Sequence, residues 1–431
     1  MAEGVQSVSM RIVIAGAGLA GSALALALKQ ALGQAYEIVV ADPAYAKRSQ
    51  PATRPSDDRA FAISAAGQRM FRALGVWEGM SAGAQPIREM VVTDSRTRDV
   101  VRPGYLTFGM PGNTAPDIAA EQMPASPFAH MVWSRVINTV LSKALQDAGV
   151  VMRPEAVLSA EAGDVSTMVT FASGDQQKAA CVVAADGARS RLRERAGIGW
   201  ITSDYNQSGI VATIGHERDH QGRAIEHFLP AGPFAMLPLP QDDRGGFQSS
   251  IVWTESTADA DAMLAAHPDD FLQELESRFG LQLGALHLVS GPKAYPLSFG
   301  IARRFAADRL ALLGDAAHVI HPIAGQGLNL GLKDAAALAQ SVVEAARLGL
   351  DVGSRAVLDS YQAARRFDTM AMGVVTDGLN RLFSNDVTPV RLARDLGLGL
   401  VDRMPGLKRF FIEEAAGLRD RGPRLLRGDA I

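Results

Sequence analysis

Apolar and polar positions along this 431-residue chain fall into blocks whose period changes. Met10-Arg-Ile-Val-Ile-Ala15 is a short, nearly continuous apolar run that predicts a strand. Gly16-Ala17-Gly18-Leu19-Ala20-Gly21 follows, and then an Ala/Leu-rich run that predicts a helix closing near Gly33. Residues 37–41 predict the next strand, with Asp42 at its end, so the chain opens on a βαβ unit. Residues 59–74 predict a loop entering a helix that stops at Gly75. Residues 86–127, rich in Pro, Gly and Thr, predict short strands, and 132–147 have helical spacing up to Gly149. Residues 167–171 and 179–184 predict a hairpin around Ser173-Gly174-Asp175. Residues 208–214, 224–229, 234–237 and 247–254 alternate like strands of one sheet. Helices over 259–266 and 269–279, a strand near Tyr295, a strand ending at Leu313 and a long helix from Leu328 to about Leu348 complete the body.

This order predicts an α/β protein in which a Rossmann-like nucleotide-binding domain (1–85, 128–200, 296–360) is interleaved with an antiparallel β-sheet domain (86–127, 201–295). A C-terminal helical region, 361–431, follows. Hydrophobic content of 47% supports a large core, and a net charge of −3 gives no reason to expect a nucleic-acid partner. Cys181 stands alone, which excludes an intrachain disulfide. The eight histidines are scattered, His318 and His321 being the closest pair, so no metal is expected. Residues 12–28 carry no charge, yet their glycine spacing suits a phosphate loop rather than a leader or a membrane span, and a cytoplasmic protein is expected.

The tail has its own pattern. From Arg381 to Arg427 it holds ten Lys/Arg and six Asp/Glu. Thr388-Pro389 reads as a helix start, Leu392, Leu396 and Leu400 repeat at i+4, and Pro405 ends the run. A second apolar set, Leu407, Phe410 and Phe411, stops near Gly417. Two readings stand: a lid packed on the body, or a basic amphipathic pair touching the inner face of an anionic membrane.

Two stretches carry chemistry. Gly16, Gly18 and Gly21, with a strand before, a helix after and Asp42 at the next strand end, form a dinucleotide fingerprint: glycines let a pyrophosphate approach the helix start, and the acid accepts from a ribose. Arg309-Leu-Ala-Leu-Leu-Gly314-Asp315-Ala-Ala-His318, followed by Pro322 and Gly325-Gln326-Gly327-Leu328-Asn329, reads as strand, acidic turn, glycine loop and helix. A flavin dinucleotide needs all of these features: ribityl hydroxyls, a pyrophosphate, and a ring that becomes anionic on reduction. A third junction, Asp186-Gly187-Ala188-Arg189-Ser190-Arg191-Leu192-Arg193, brings three arginines to a turn and either serves the nucleotide or caps and pairs within itself.

Together the three junctions resemble the FAD-dependent aromatic hydroxylases of the p-hydroxybenzoate hydroxylase type. Asp58-Arg59-Ala60-Phe61-Ala62-Ile63-Ser64, Gly75-Val76-Trp77 and His321-Pro322-Ile323-Ala324-Gly325-Gln326-Gly327-Leu328-Asn329-Leu330-Gly331-Leu332 are similar to the ubiquinone-biosynthesis 2-polyprenylphenol hydroxylase branch. Asp42 departs from the Glu of many members. The resemblance implies FAD as cofactor, NAD(P)H as a transient co-substrate, and a C4a-hydroperoxyflavin that hydroxylates a prenylated phenol. It implies no catalytic nucleophile or base, since the cofactor carries the chemistry. It assigns Gly16, Gly18, Leu19, Ala20 and Gly21 to the pyrophosphate, Asp42 to the ribose, Arg59 and Arg135 to pyrophosphate and ribityl, and Val157 to the adenine. Asp315 falls to the ribityl chain or the pyrophosphate, and Gly325, Gly327, Leu328 and Asn329 to the flavin edge, where backbone N–H groups would stabilise the reduced ring. Phe228, Met236, Trp253 and Pro322 are candidates for the substrate wall, though strand alternation also explains Phe228, Met236 and Trp253 as core. The partners implied are a hydrophobic phenolic or quinone-precursor substrate and a biosynthetic complex. A flavin-dependent lipid reductase or oxidase and a non-catalytic flavin-binding subunit are the alternatives.

Overall fold

The structure is a computed structural model that describes residues 10–45, 59–94, 106–109, 127–280, 282–322, 325–383 and 422–431. The first half runs β1 (Met10–Ala15), α1 (Leu19–Leu32), β2 (Tyr36–Ala41), β3 (Ala60–Ser64), α2 (Ala65–Ala73), α3 (Trp77–Ser81), β4 (Ala84–Ile87), β5 (Glu89–Asp94), β6 (Leu106–Gly109), β7 (Ala129–Trp133), α4 (Ser134–Asp147), β8 (Val151–Arg153), β9 (Val157–Ala162), β10 (Thr167–Phe171), β11 (Gln176–Ala179), β12 (Cys181–Ala184) and α5 (Arg191–Arg195). The second runs β13 (Trp200–His216), β14 (Arg223–Leu229), β15 (Gly232–Pro238), β16 (Phe247–Ser256), α6 (Thr257–Ala265), α7 (Pro268–Phe279), β17 (Leu286–Ala302), β18 (Ala306–Ala307), β19 (Leu310–Leu312), a 3₁₀ turn (Gly314–Ala316), β20 (His318–Val319), α8 (Gln326–Arg347), α9 (Arg355–Phe383) and α10 (Arg424–Arg427).

A six-stranded sheet, ordered β18-β19-β12-β1-β2-β8, forms the nucleotide-binding half. β1 sits at its centre, paired in parallel with β2 and β12. Ile12, Val13 and Ile14 are fully buried, which explains the unbroken apolar run: both faces of a central parallel strand are covered. Helices α1 and α8 pack together beside it, and the three-stranded sheet β11-β10-β9 adds Val169 and Phe171 to the same core.

An eight-stranded sheet, ordered β20-β17-β13-β16-β15-β14-β5-β6, forms the second half. It is antiparallel except where β14 runs parallel to β5. One face packs Ile210, Phe234 and Trp253 against Phe271, Leu275 and Phe279 of α7. A fourth sheet, β3-β7-β4, lies between the halves and contributes Met131 and Trp133 to a small cluster with Ala224 and Leu239.

Several boundaries differ from the sequence expectation. The hairpin turns at 173–175, but its second arm is β11, and Cys181–Ala184 leaves it to become β12, with Cys181 opposite Ile12. A continuous CVVA run belongs inside a parallel sheet, where all four residues are buried; the polar Gln176–Ala179 suits the edge. Residues 59–74 hold a strand, β3, before the helix, and Ser64 caps α2 by accepting from the Gly67 N–H at 3.2 Å. The helix expected from 132 begins at Ser134, because 129–133 is β7. The strand near Tyr295 is part of a 17-residue strand. The two helices expected over 388–417 lie outside the described residues, whereas Leu425 and Leu426 of α10 are buried against α2 and α8.

Candidate flavin and substrate site

At two positions the turn from β1 to α1 is built so that only glycine fits. Gly16 has φ +117°, and a Cβ there would stand 2.1 Å from the Ala185 carbonyl oxygen. A Cβ at Gly21 would stand 2.2 Å from the Gly16 oxygen. Gly18, by contrast, has nothing within 4 Å of its Cβ position and opens onto a cavity. It is the N-cap of α1 and brings no capping side chain, so the first N–H groups of the helix are left for a ligand. Asp42 stands beside them, buried, accepting from the Ala17 N–H at 2.7 Å and from the Ala44 N–H at 2.7 Å. Those bonds fix the carboxylate and leave it acceptor capacity for a ribose.

The second loop set converges on the same space. Gly314 has φ +58° and Gly325 φ +63°. A Cβ at Gly331 of α8 would meet the Ala20 Cβ at 3.2 Å and the Gly314 Cα at 3.6 Å, so α1, the acidic turn and α8 meet at one small residue. Asp315 is open to the cavity yet enclosed by protein; burial raises its carboxyl pKa, against the pull of His318 and Arg59. Asn329 uses its side chain to tie α8 to β3, accepting from the Ser64 N–H at 3.0 Å and donating to the Ala62 oxygen at 2.9 Å. Behind the turn, His318 Nε2 donates to Asp334 at 2.6 Å and Arg365 Nε donates to the other oxygen at 2.8 Å. Burial alone would raise the Asp334 pKa, but His318 and Arg365 outweigh it and hold the carboxyl low. His321 lines the cavity, finds no hydrogen-bond partner for either ring nitrogen among the described residues, and has its pKa lowered by burial to about 4.

The third junction holds the second in place. Asp186 accepts from the Arg191 N–H at 3.0 Å, and Arg193 donates to the Ala316 oxygen at 3.0 Å while its guanidinium lies 3.9 Å from the Trp200 ring centroid. Arg193 is buried. It pairs within the protein, while Asp186, Arg189 and Arg191 border the cavity.

All of this surrounds one cavity of about 1110 Å³, which also runs beneath the eight-stranded sheet. Gly16, Gly18, Leu19, Ala20, Gly21, Asp42, Arg59, Val157, Asp315, Gly325, Gly327, Leu328, Asn329 and Pro322 line it. Arg135 does not: it is exposed on α4, 4.8 Å from the Trp133 ring centroid, and its neighbours Ser134 and Asn138 face the cavity instead. Met236 and Trp253 lie on the far face of the sheet, in the core under α7. Strand alternation decides this, since Ala235, Leu237, Val252 and Thr254 are the lining residues of those strands. Phe228 is buried and is not among the lining residues. The sequence reading missed Glu226 and the His318–Asp334–Arg365 network; the available signal was a lone acid in each case, inside a strand and inside an Ala/Leu-rich helix.

Residues 9–375 match the FAD binding domain family. The chain belongs to that family. Its glycine cradles, uncapped helix start and buried Asp42 fit the pyrophosphate and ribose of FAD. Among relatives, the ubiquinone hydroxylase UbiL of Rhodospirillum rubrum is 40% identical over 97% of this chain and 92% of its own length. The 3-demethoxyubiquinol 3-hydroxylase of Escherichia coli is 34% identical over 94% of this chain and 98% of its own. In fold the chain is similar to p-nitrophenol 4-monooxygenase PnpA from Pseudomonas putida, with a TM-score of 0.71 at 19% identity, covering 96% of this chain and 99% of that one. Membership, together with these hydroxylase relatives, makes the chain an FAD-dependent aromatic monooxygenase.

Proposed function

We propose that this enzyme hydroxylates a hydrophobic phenolic precursor in ubiquinone biosynthesis, with NAD(P)H and O₂ as co-substrates. The observation that carries the reading is the single cavity joining both nucleotide loops to an apolar wall under the eight-stranded sheet. FAD, once bound and reduced, supplies the oxygen activation. The chain's own task is to hold it and to keep water away. Gly16 to Gly21 receive the pyrophosphate at the start of α1, Asp42 accepts from the adenosine ribose, and Val157 borders the adenine. Asp315 meets the ribityl chain, and Arg59, held 5.1 Å from the Tyr295 ring centroid, meets the phosphates. Backbone N–H groups at Gly327, Leu328 and Asn329 face the flavin edge, where developing negative charge is stabilised by donors already in place. Arg135 carries no role here.

A phenol with a prenyl tail partitions into lipid, and support for a peripheral membrane contact comes from α9. Phe367, Met370, Val374, Val375 and Leu382 are exposed along it. No helix among the described residues is long and apolar enough to cross a membrane. The reading is tested by incubating the FAD-loaded protein with prenylated phenols, NAD(P)H and O₂. Substrate-stimulated NAD(P)H oxidation matched by hydroxylated product is the expected result. Reduced product, or no turnover, would favour a lipid reductase or a non-catalytic flavin subunit. Vesicle co-sedimentation of full-length protein, abolished by polar substitution of Phe367 and Val374, tests the membrane contact.

A further inference from the structure

The cavity wall under the sheet carries one carboxyl on its four middle strands. Across the sheet, Val211 pairs with Val252, Val252 with Ala235 and Ala235 with Glu226, and all four line the cavity. Glu226 is 3% exposed, and its Oε2 finds no hydrogen-bond partner among the described residues. Its register partners on both sides, Ala235 and Val92, are apolar. Burial pushes its pKa up to about 8, so at neutral pH the group is an uncharged carboxyl with one O–H donor and one carbonyl acceptor.

Its position relates it to the flavin loop. Ala224 lies two residues back on the same strand face and belongs to the small cluster against which Ala62 packs. The Ala62 Cβ is 3.4 Å from the place a Gly325 Cβ would occupy. Glu226 therefore stands one side-chain step along the wall that β3 shares with the turn opening α8. A polar group left unpaired in such a wall works against folding, and a ligand that supplies the missing partner recovers the loss on binding.

We propose that Glu226 anchors a hydroxyl oxygen of the substrate ring and so fixes the ring's orientation beneath the sheet. The inference rests on the phenolic substrate proposed above. A hydroxyl both donates and accepts, so it satisfies both halves of a neutral carboxyl; the corresponding methyl ether only accepts, and a hydrocarbon does neither. Glu226 is a positioning residue in this scheme, and no proton need leave the ring for it to act.

The test compares 2-geranylphenol with its methyl ether, titrated against the FAD-loaded full-length protein and read by perturbation of the bound flavin's absorbance. Wild type is expected to prefer the phenol by at least about tenfold, as a site built for a hydroxyl does. Glu226→Gln keeps the preference, because an amide also offers a donor and an acceptor. Glu226→Leu brings the ratio close to one with FAD affinity unchanged. Should leucine prevent FAD uptake, Glu226→Ala supplies the same comparison. Retention of the preference in the apolar variants, or its loss in Glu226→Gln, overturns the assignment while leaving the phenol reading intact. Wild-type protein that binds neither compound overturns the phenol reading, and the anchor with it.

Discussion

The side chain of Asn329 and the backbone amide of Ser64 meet at 3.0 Å across 265 residues of sequence. The same side chain donates to the Ala62 oxygen, so β3 is strapped to the first turn of α8 by one residue. That turn is where the flavin edge is proposed to rest. Asn329→Ala leaves the Ser64 N–H and the Ala62 oxygen without these partners, at a cost of about 2–3 kcal/mol. FAD affinity, followed by quenching of flavin fluorescence, is expected to fall roughly tenfold or more, with a lowered Tm in the same variant.

Gly16→Ala places a methyl 2.1 Å from the Ala185 oxygen in a backbone conformation that L-residues rarely adopt. The loop and the end of β12 must then separate. Purified Gly16→Ala is expected to be colourless, without bound flavin, whereas Gly33→Ala, with φ +58° but nothing within 4 Å and far from the cavity, retains the flavin at a modest loss of stability. Normal flavin content in Gly16→Ala would remove the first loop from the account.

Asp334 is fully buried between His318 and Arg365. Asp334→Asn removes the buried partner of Arg365 and leaves it only the exposed Asp368, 3.2 Å away, and is expected to cost about 3 kcal/mol by chemical denaturation. The pH dependence follows from the depressed carboxyl. A folded pKa below the unfolded value, about 3.9, gives stability that is complete above that value and lost as the pH falls through the folded one. Wild type therefore loses its advantage over Asp334→Asn on acidification below about pH 4.

Glu226 has the opposite sign. Its folded carboxyl is raised to about 8, so the folded state holds a proton that the unfolded chain releases in the ordinary carboxylate range. Stability from this group is complete below that range and declines as the pH rises to about 8. Glu226→Gln lacks the decline and gains on wild type between pH 5 and pH 8, roughly the interval separating the two pKa values. Glu226→Leu, measured without substrate, is expected to be more stable than wild type by about 1–3 kcal/mol, because an unpaired buried group has been removed. A destabilised Glu226→Leu would indicate a partner inside the protein.

The nucleotide half of the fold was legible because its signals are local. A glycine spacing, a preceding apolar strand and an acid at the next strand end all lie between Met10 and Asp42. The sheet half was legible as strands, but its inward face was not. Met236 and Trp253 were expected at the substrate wall because they are large and apolar; one residue of register sends both to the opposite core and leaves small Ala235 and Val252 facing the cavity. The resemblance assigns Arg135 to pyrophosphate and ribityl, yet the first turn of α4 aims Ser134 at the cavity and leaves the arginine outside. The ties that join distant segments, Asn329 to Ser64 and Arg193 to Ala316, have no sequence signature, since each partner is a backbone group.

The most direct measurement supplies the FAD-loaded enzyme with a prenylated phenol, NAD(P)H and isotopically heavy dioxygen, and then weighs the product. A product heavier than the substrate by one heavy oxygen atom, on the ring, is the expected result. A product without the label, or one that has gained hydrogen instead of oxygen, would contradict the hydroxylase reading at its centre.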